Sequence, residues 1–573
     1  MAGINRYNSD VLIIGGGGAA TAAAIAAHEG GATTMLAVKG RFGVPGVRGA
    51  GATSNPIGDF WTIRTVGPKG GFFNPPEIVL QDMLQTGLGM ADPALCRIFV
   101  EEVPDAIRRL QTMGMKFQSR VLATMPADTG NKTNSIVAVQ KAIIEETGTR
   151  VLEHANLTDL IVNNGECHGA IGIHDNGEPF VVEAGAVILA TGGIGQLFQY
   201  SFNPPGNTGD GYAMALRAGA ELFNMEFMQQ GLATTWPQQG IVMLYEMEQP
   251  YKMFNRHGRS FLHNYLPDGI GIKDVCDAKA RHWPVSCRDD ALYLDIAIKA
   301  EALAGNATEH DGVLLDLSQA ERGFLPELFP GFMLEKGIDI KNDLVQIQNH
   351  HHTSNGGIRV DEHGQSAVKG LFAVGETAGW QGADRLGGTM LGGSQVFGRR
   401  AGRKAAELAK GANGSAVGDD LIEPLLEPLR RLQESKGRRT VAELHKALQR
   451  KMWETLIVAK DADTLNEARQ FIYRTRDQLD NDLAITRELD YALALELRNM
   501  LDAGEAIVEA ADVRTESRGA HYRSDFPERN DTDWLTNIFI SRANGQLDLR
   551  KEWVCTAQGW EDRPGDVRIK PWG

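Results

Sequence analysis

Cysteine is scarce in this 573-residue chain and nowhere paired: Cys96, Cys167, Cys276, Cys287 and Cys555 are scattered, with no C-x-x-C. Neither a disulfide framework nor a local zinc or iron–sulfur site can be assembled from that spacing. Basic charge is also in deficit. Lys and Arg number 58 against 73 Asp and Glu, a formal net charge of −15. Such a field repels phosphate backbones, which argues against nucleic acid as a partner. Long hydrophobic runs are missing as well. The longest stretch of small or apolar residues, 11–27, holds four glycines and falls short of the ~20 residues that cross a bilayer. The opening MAGINRYNSD has no basic segment ahead of an apolar core, so it does not read as a signal peptide. These absences predict a cytoplasmic chain without direct membrane insertion.

What is present is ordinary globular composition, with 42% hydrophobic and 23% charged residues. The texture changes along the chain. Over 1–230, and again over 349–410, short β-branched runs alternate with Ala/Gly-rich helical stretches, an α/β pattern that predicts a parallel sheet. The interruption, 231–348, is richer in aromatics and histidines. GANGSAVGDD, 411–420, reads as a linker, and from 421 to about 533 apolar residues recur at helical spacing between charges, as in a helical bundle. The remainder, 534–573, is polar with short strand-like stretches such as NIFISR.

The first motif is SDVLIIGGGGAATAAAIAAHEGG: a strand, a glycine turn and a helix in that order, with G-x-G-x-x-A on Gly15, Gly17 and Ala20. Glycines let a backbone approach a pyrophosphate, and the following helix end offers free N–H groups and a favourable dipole. The acidic residue that would hold the adenosine ribose after the second strand is absent, because TTMLAVKG places Val38 and Lys39 there. That weakens the case for free NAD. Two later strands also end in glycine turns, VILATGGIG before NTGDGYAMALRAGA, and GLFAVGETAG. FAD is about twice as long as a mononucleotide and needs contacts from such distant segments. Glu376, at the end of the last of these strands, is placed for a ribityl or ribose hydroxyl.

These segments, together with MEFMQ, NGGI, GADRLGGTMLGGSQVFGRRAG, LQRKMWE and ESRGAHYRSDFPERND, resemble the flavoprotein subunits of the succinate dehydrogenase/fumarate reductase superfamily. That superfamily also contains L-aspartate oxidase and adenylylsulfate reductase, and the resemblance spans nearly the whole chain. It implies an α/β FAD-binding (Rossmann-like) domain with an inserted α+β capping domain, a helical bundle domain and a small C-terminal segment. It assigns flavin contacts to Gly15, Gly17, Gly18, Ala19, Val38, Lys39, Gly51, Thr191, Gly192, Gly193, Asp210, Gly375, Glu376, Met390 and Leu391. It assigns the substrate carboxylate to His352, before TSNGGI, and to Arg385 of GADR, and proton donation to Arg288 of CRDDALYLDI. A guanidinium suits a carboxylate, which it grips with two parallel hydrogen bonds. As an acid it needs a relay or a strongly shaped site, since its pKa lies above ~12.

Three departures limit the carry-over. No histidine stands in GRFGVPGVRGAGATS, where the superfamily attaches its flavin covalently, and His28 lies on the first helix. Noncovalent FAD is therefore expected. The T-E-G-x-R-G segment for a distal carboxylate is missing, and QQGLATTW puts Gly231 where a histidine would be. Trp236, Met243, Tyr245 and Tyr251 are read as a rebuilt apolar wall. Asp384 replaces an Asn beside Arg385, where it would tie that arginine in an ion pair. The run His350–His352 is read as structural or substrate-facing, since adjacent side chains on an extended segment point to opposite faces and no further ligand stands at metal spacing.

The expected activity is hydride transfer between flavin N5 and a carbon next to a carboxylate or carbonyl of an anionic substrate, other than plain succinate or fumarate. The expected partner is an iron–sulfur electron-transfer subunit. The alternatives are an adenylylsulfate-reductase-like or L-aspartate-oxidase-like flavoenzyme, and a non-catalytic electron-relay subunit.

Overall fold

The computed structural model describes residues 4–53, 63–64, 75–119, 123–126, 135–243, 252–318, 333–335, 337–410, 417–554 and 567–569. The glycine turn leaves the middle of a seven-stranded sheet. Strand Asn5–Ile14 pairs in parallel with Thr34–Ala37 on one side and Pro179–Leu189 on the other. Arg150–Leu152 extends the first edge, and Leu371–Ala373 adds to Pro179–Leu189, again in parallel. Val11, Leu12 and Ile13 are wholly buried, as a strand covered on both faces requires.

The other half of this sheet departs from the expected parallel pattern. Ala155–Asn163, Glu166–His174 and Pro179–Leu189 form an antiparallel meander. The cause lies in the turns: Asn164 (φ 51°) and Gly165 (φ 75°) put both residues of a two-residue loop in the left-handed region, the geometry that folds a strand back on its neighbour.

Helix Gly18–Glu29 packs along helix Thr389–Ala409. The approach is close. A Cβ on Gly402 would lie 2.3 Å from the Ala23 carbonyl oxygen, and the alanines of the first helix supply the matching smooth face. The contact holds the start of Thr389–Ala409 beside the glycine turn.

The inserted segment builds its own four-stranded antiparallel sheet, in the order Met228–Trp236, Leu344–Ser354, Val313–Asp316, Lys252–Phe254. Helices Ile272–Lys279 and Leu292–Leu303 join it around a core that includes Leu232, Phe261, Ile298 and Ile347. Three longer helices follow: Val441–Leu456, Ala462–Asn481 and Leu489–Val513. Thr440 starts the first with a capping box, its Oγ accepting from the Glu443 N–H at 3.3 Å while the Glu443 carboxylate accepts from the Thr440 N–H at 2.8 Å. Residues 411–416 of the expected linker lie outside the described residues. NIFISR falls in Thr536–Ala543 of a five-stranded sheet that also takes in Leu222–Phe223 and Gly357–Ile358. Among the described residues no helix is long and apolar enough to cross a membrane.

Candidate active site

A cavity of about 620 Å³ lies between the glycine turn and the inserted sheet. At one end are Gly15, Gly17, Gly18 and Ala19. Gly15 has φ 128°, and a Cβ there would sit 2.2 Å from the Ala190 carbonyl oxygen, so no other residue fits between the two strand ends. Gly17 caps helix Gly18–Glu29 without a side-chain hydrogen bond. The Gly18 N–H donates to Thr53 Oγ1 at 3.0 Å. This helix start, on the cavity wall and with no side-chain cap from Gly17, suits a pyrophosphate.

Further along the wall stand Val38, Lys39, Gly51, Thr191, Gly192 and Asp210. Lys39, found where an acid was looked for, is neutralised by carboxylates from two other elements. It pairs with Asp210, at the start of helix Asp210–Arg217, and its Nζ lies 2.7 Å from Glu496 Oε1 of helix Leu489–Val513. Arg48 joins at 2.9 Å from the same oxygen. Gly375, Glu376, Met390 and Leu391 line the middle. Burial pushes the Glu376 carboxyl up, opposed by the Ser354 and Gly193 N–H groups and the Thr353 hydroxyl; the Ser354 N–H donates to Oε1 at 3.0 Å. Gly193 does not line the cavity. It lies behind Glu376, where a Cβ would come within 2.2 Å of Oε1.

The far end gathers Arg385, His352, Arg288 and Asp384. Gln229 joins the first two, its Oε1 accepting from Arg385 Nη2 at 2.8 Å and lying 3.1 Å from His352 Nδ1. Burial, the Arg385 charge and His351 hold His352 well below the usual histidine range. A neutral ring that donates Nδ1–H to Gln229 leaves Nε2 as an acceptor. Burial also lowers Arg385 to about 10, against the pull of Glu376 and Asp384. The expected Asp384–Arg385 ion pair does not form. Arg385 is turned to Gln229, and Asp384 Oδ2 accepts instead from Ser286 Oγ at 2.5 Å.

The expected apolar wall is also corrected. Met243 is buried in the core of the inserted sheet, Trp236 is 41% exposed and stacks on His310, and Tyr245 and Tyr251 lie outside the described residues. The segment before Arg288 takes that place: Arg281, His282 and Trp283 line the cavity. Trp283 stands edge-on to His352, ring centres 4.9 Å apart, and donates from Nε1 to the Leu232 carbonyl at 3.1 Å. Gly231 makes room for it, since a Cβ there would be 2.3 Å from Trp283 Cζ2. The large side chain of this contact stands on the facing segment and not on the strand, and only the glycine hinted at it in the sequence.

ESRGAHYRSDFPERND lines none of this cavity; it braces it. Glu516 holds Arg514 and Arg518, all wholly buried, and Arg514 reaches Glu226 of MEFMQ at 2.7 Å. From this brace the Ala520 N–H donates to Ala383 and the Gly519 carbonyl accepts from the Cys287 N–H, at 3.1 and 2.9 Å. Arg385 and Arg288 are thereby fixed to one support. His350 and His351 are fully buried against Tyr200, Phe202 and Phe198. His28 is exposed at the end of its helix.

Residues 10–391 match an FAD binding domain family, and residues 445–564 match the fumarate reductase flavoprotein C-terminal family. The chain is similar to a subunit of the CoM/CoB fumarate reductase of Methanothermobacter marburgensis, 31% identical over 94% of this chain and 97% of that one. It is also similar to L-aspartate oxidase of Streptomyces coelicolor, 29% identical over 84% of each chain. Among solved structures, Mycobacterium smegmatis Sdh1 in complex with UQ1 superposes with a TM-score of 0.80, at 27% identity, covering 99% of this chain and 95% of that one. With the glycine turn, the long cavity and the Arg385 end in one molecule, the chain belongs to the fumarate reductase/succinate dehydrogenase flavoprotein family and is an FAD-dependent oxidoreductase.

Proposed function

We propose that the chain moves a hydride to or from a carbon adjacent to a carboxylate or carbonyl of an anionic organic substrate, in a capped site formed where 231–348 meets the FAD-binding unit of 1–230 and 349–410. The observation that carries this reading is the Arg385–Gln229–His352 group at the end of the cavity remote from the glycine turn. Gln229 takes one Nη2 bond of Arg385 and holds the guanidinium in place for a carboxylate, and neutral His352 adds a polar contact without competing charge. FAD, when bound, supplies the site that accepts or gives the hydride. The helix start at Gly17–Gly18 would hold its pyrophosphate and Glu376 a ribityl hydroxyl. The binding is noncovalent, because GRFGVPGVRGAGATS holds no histidine to attach a flavin; among the described residues the cavity wall carries His282, which meets Asp289, and His352, whose Nδ1 meets Gln229.

Arg288, on the inserted side, completes the cationic surround and faces the carbon that exchanges a proton. Trp283 puts an indole against His352 beside Gly231, where the resemblance would have a histidine, which supports a substrate other than plain succinate or fumarate. Electrons reach or leave the site through an iron–sulfur subunit in the cytoplasm. This chain has no cysteine spacing for a cluster of its own.

Anaerobic mixing of the reduced holoprotein with fumarate, crotonate and cinnamate, followed by flavin absorbance, tests the reading. Arg385→Ala is expected to lower kcat/KM for whichever acid reacts by about 100-fold, the worth of a charged hydrogen-bonded contact, while Arg385→Lys retains part. Unchanged turnover and affinity in Arg385→Ala would sink the assignment. Similarity to L-aspartate oxidase over 84% of the chain supports a second reading, an amino-acid oxidase. Hydrogen peroxide released in air on adding L-aspartate would favour it.

A further inference from the structure

The cavity wall holds a carboxyl group that the proposed reaction leaves unused. Asp384 is 3% exposed and lines the same cavity as Arg288, Arg385 and His352. Oδ2 accepts from Ser286 Oγ at 2.5 Å, and Oδ1 is buried with no hydrogen-bond partner among the described residues. Ser286 itself lines the cavity, and its Oγ lies 3.4 Å from the Arg288 backbone nitrogen. The pair therefore bridges the Gly382–Arg385 turn to the segment that carries Arg288.

A carboxylate in such a place is poorly solvated. One hydroxyl donor replaces the several waters it would have outside, so its protonated form competes, and burial pushes Asp384 up to about 6. The groups that face it are Arg288 and His282, which favour the anion, Asp289, which opposes it, and Cys287 from the same segment. Arg385, on its own turn, is also drawn towards the charged form by Asp384. The guanidinium of Arg288 meanwhile releases a proton only with great difficulty. The neighbouring carboxyl has no such obstacle.

We propose that Asp384 and Ser286 form the proton store of this site, Asp384 holding the proton exchanged at the substrate carbon and the Ser286 hydroxyl passing it across. The proposal rests on the hydride-transfer reading. In the reducing direction one carbon of a C=C bond gains the hydride and its electron pair. With Asp384 protonated the 2.5 Å contact runs the other way: Asp384 donates its proton to Ser286 Oγ, the Ser286 proton goes to the other carbon, and the reduced flavin that gave the hydride is oxidised. The π bond is lost, two C–H bonds form, Ser286 is regenerated, and the Asp384 carboxylate is reprotonated from solvent. Oxidation runs the same exchange backwards. Arg288 stays charged and holds the substrate.

The test compares the wild-type holoprotein with Asp384→Asn and Ser286→Ala, using the most reactive of fumarate, crotonate and cinnamate. For wild type, the reduction rate should fall as pH rises through about 6. In Asp384→Asn that limb should vanish and kcat drop about 100-fold, in the range of general acid catalysis, while KM changes less than about threefold. Ser286→Ala keeps the carboxyl and should slow kcat while retaining a pH limb. Infrared difference titration of the protein without substrate gives an independent reading: a protonated carboxyl band that fades near pH 6 in wild type and is missing in Asp384→Asn. An unchanged limb or rate in Asp384→Asn, or no such band, overturns the proposal alone. Failure of wild type to react with any of the three acids overturns the hydride-transfer reading and this proposal with it.

Discussion

His351 stacks on Phe198 with ring centres 4.8 Å apart, and neither ring nitrogen has a hydrogen-bond partner among the described residues. Burial lowers its pKa to about 3, and that of His350 to about 4. The unfolded chain, with ordinary histidine pKa values near ~6.5, therefore takes up protons first as pH falls. The stabilising share of these rings is full above that value. It is lost between about pH 6.5 and the folded values, at ~1.4 kcal/mol per pH unit for each ring. His351→Phe keeps the stack and removes one titration, so its acid unfolding midpoint, followed by circular dichroism, should move to lower pH. An unmoved midpoint would mean that the ring is not held neutral. At this scale the sequence was legible where a residue's role is local. Gly15 and Gly17 sit in a turn their own neighbours define, and Arg385 is flanked by the glycines that let it face a cavity. Ser286 and Trp283 were not legible, because each acquires meaning only from a partner far along the chain, Asp384 for one and Gly231 for the other.

Elements show the same division. The strand–turn–helix at 5–29 announces itself by apolar run, glycines and alanines in order. The antiparallel meander was written just as openly, in Asn164–Gly165 between two apolar runs, yet it was overshadowed by the surrounding α/β rhythm. The contact between strand Met228–Trp236 and the segment ahead of Arg288 could not be read, since nothing in GLATTW specifies an indole across from it. That contact makes a sharp prediction. Gly231→Ala places a Cβ within 2.3 Å of Trp283 Cζ2, and overpacking of this kind costs about 1–3 kcal/mol. Chemical denaturation should show that loss, and Gly231→Ala combined with Trp283→Ala should be less destabilised than the sum of the two single changes. Strict additivity would mean that the indole does not lie over Gly231.

For the whole molecule, the cofactor region draws on widely separated stretches: the glycine turn, the start of Thr389–Ala409, and Glu496 through Lys39. A ligand that binds only the folded form stabilises it by about 4 kcal/mol when present at ~1,000 times its dissociation constant. Removing the flavin by mild chaotrope should therefore lower Tm, and adding FAD back should restore it. Denaturing the holoprotein should release all the flavin and leave a polypeptide of unmodified mass. Flavin retained on the chain would contradict noncovalent binding.

The brace at 516–531 bears on how the protein is made. A ribosome delivers the chain from its first residue, so Arg288 and Arg385 emerge long before Gly519 and Ala520, whose backbone ties the Cys287 and Ala383 stretches together. Until then the two arginines have no common anchor, and Glu226, buried once folded, lacks the Arg514 it pairs with. The glycine turn and its neighbouring strands precede the brace in the chain, whereas the reactive end has to wait for residues 514–531. A nascent chain thus forms the glycine turn that faces the nucleotide well before the brace that fixes the two arginines.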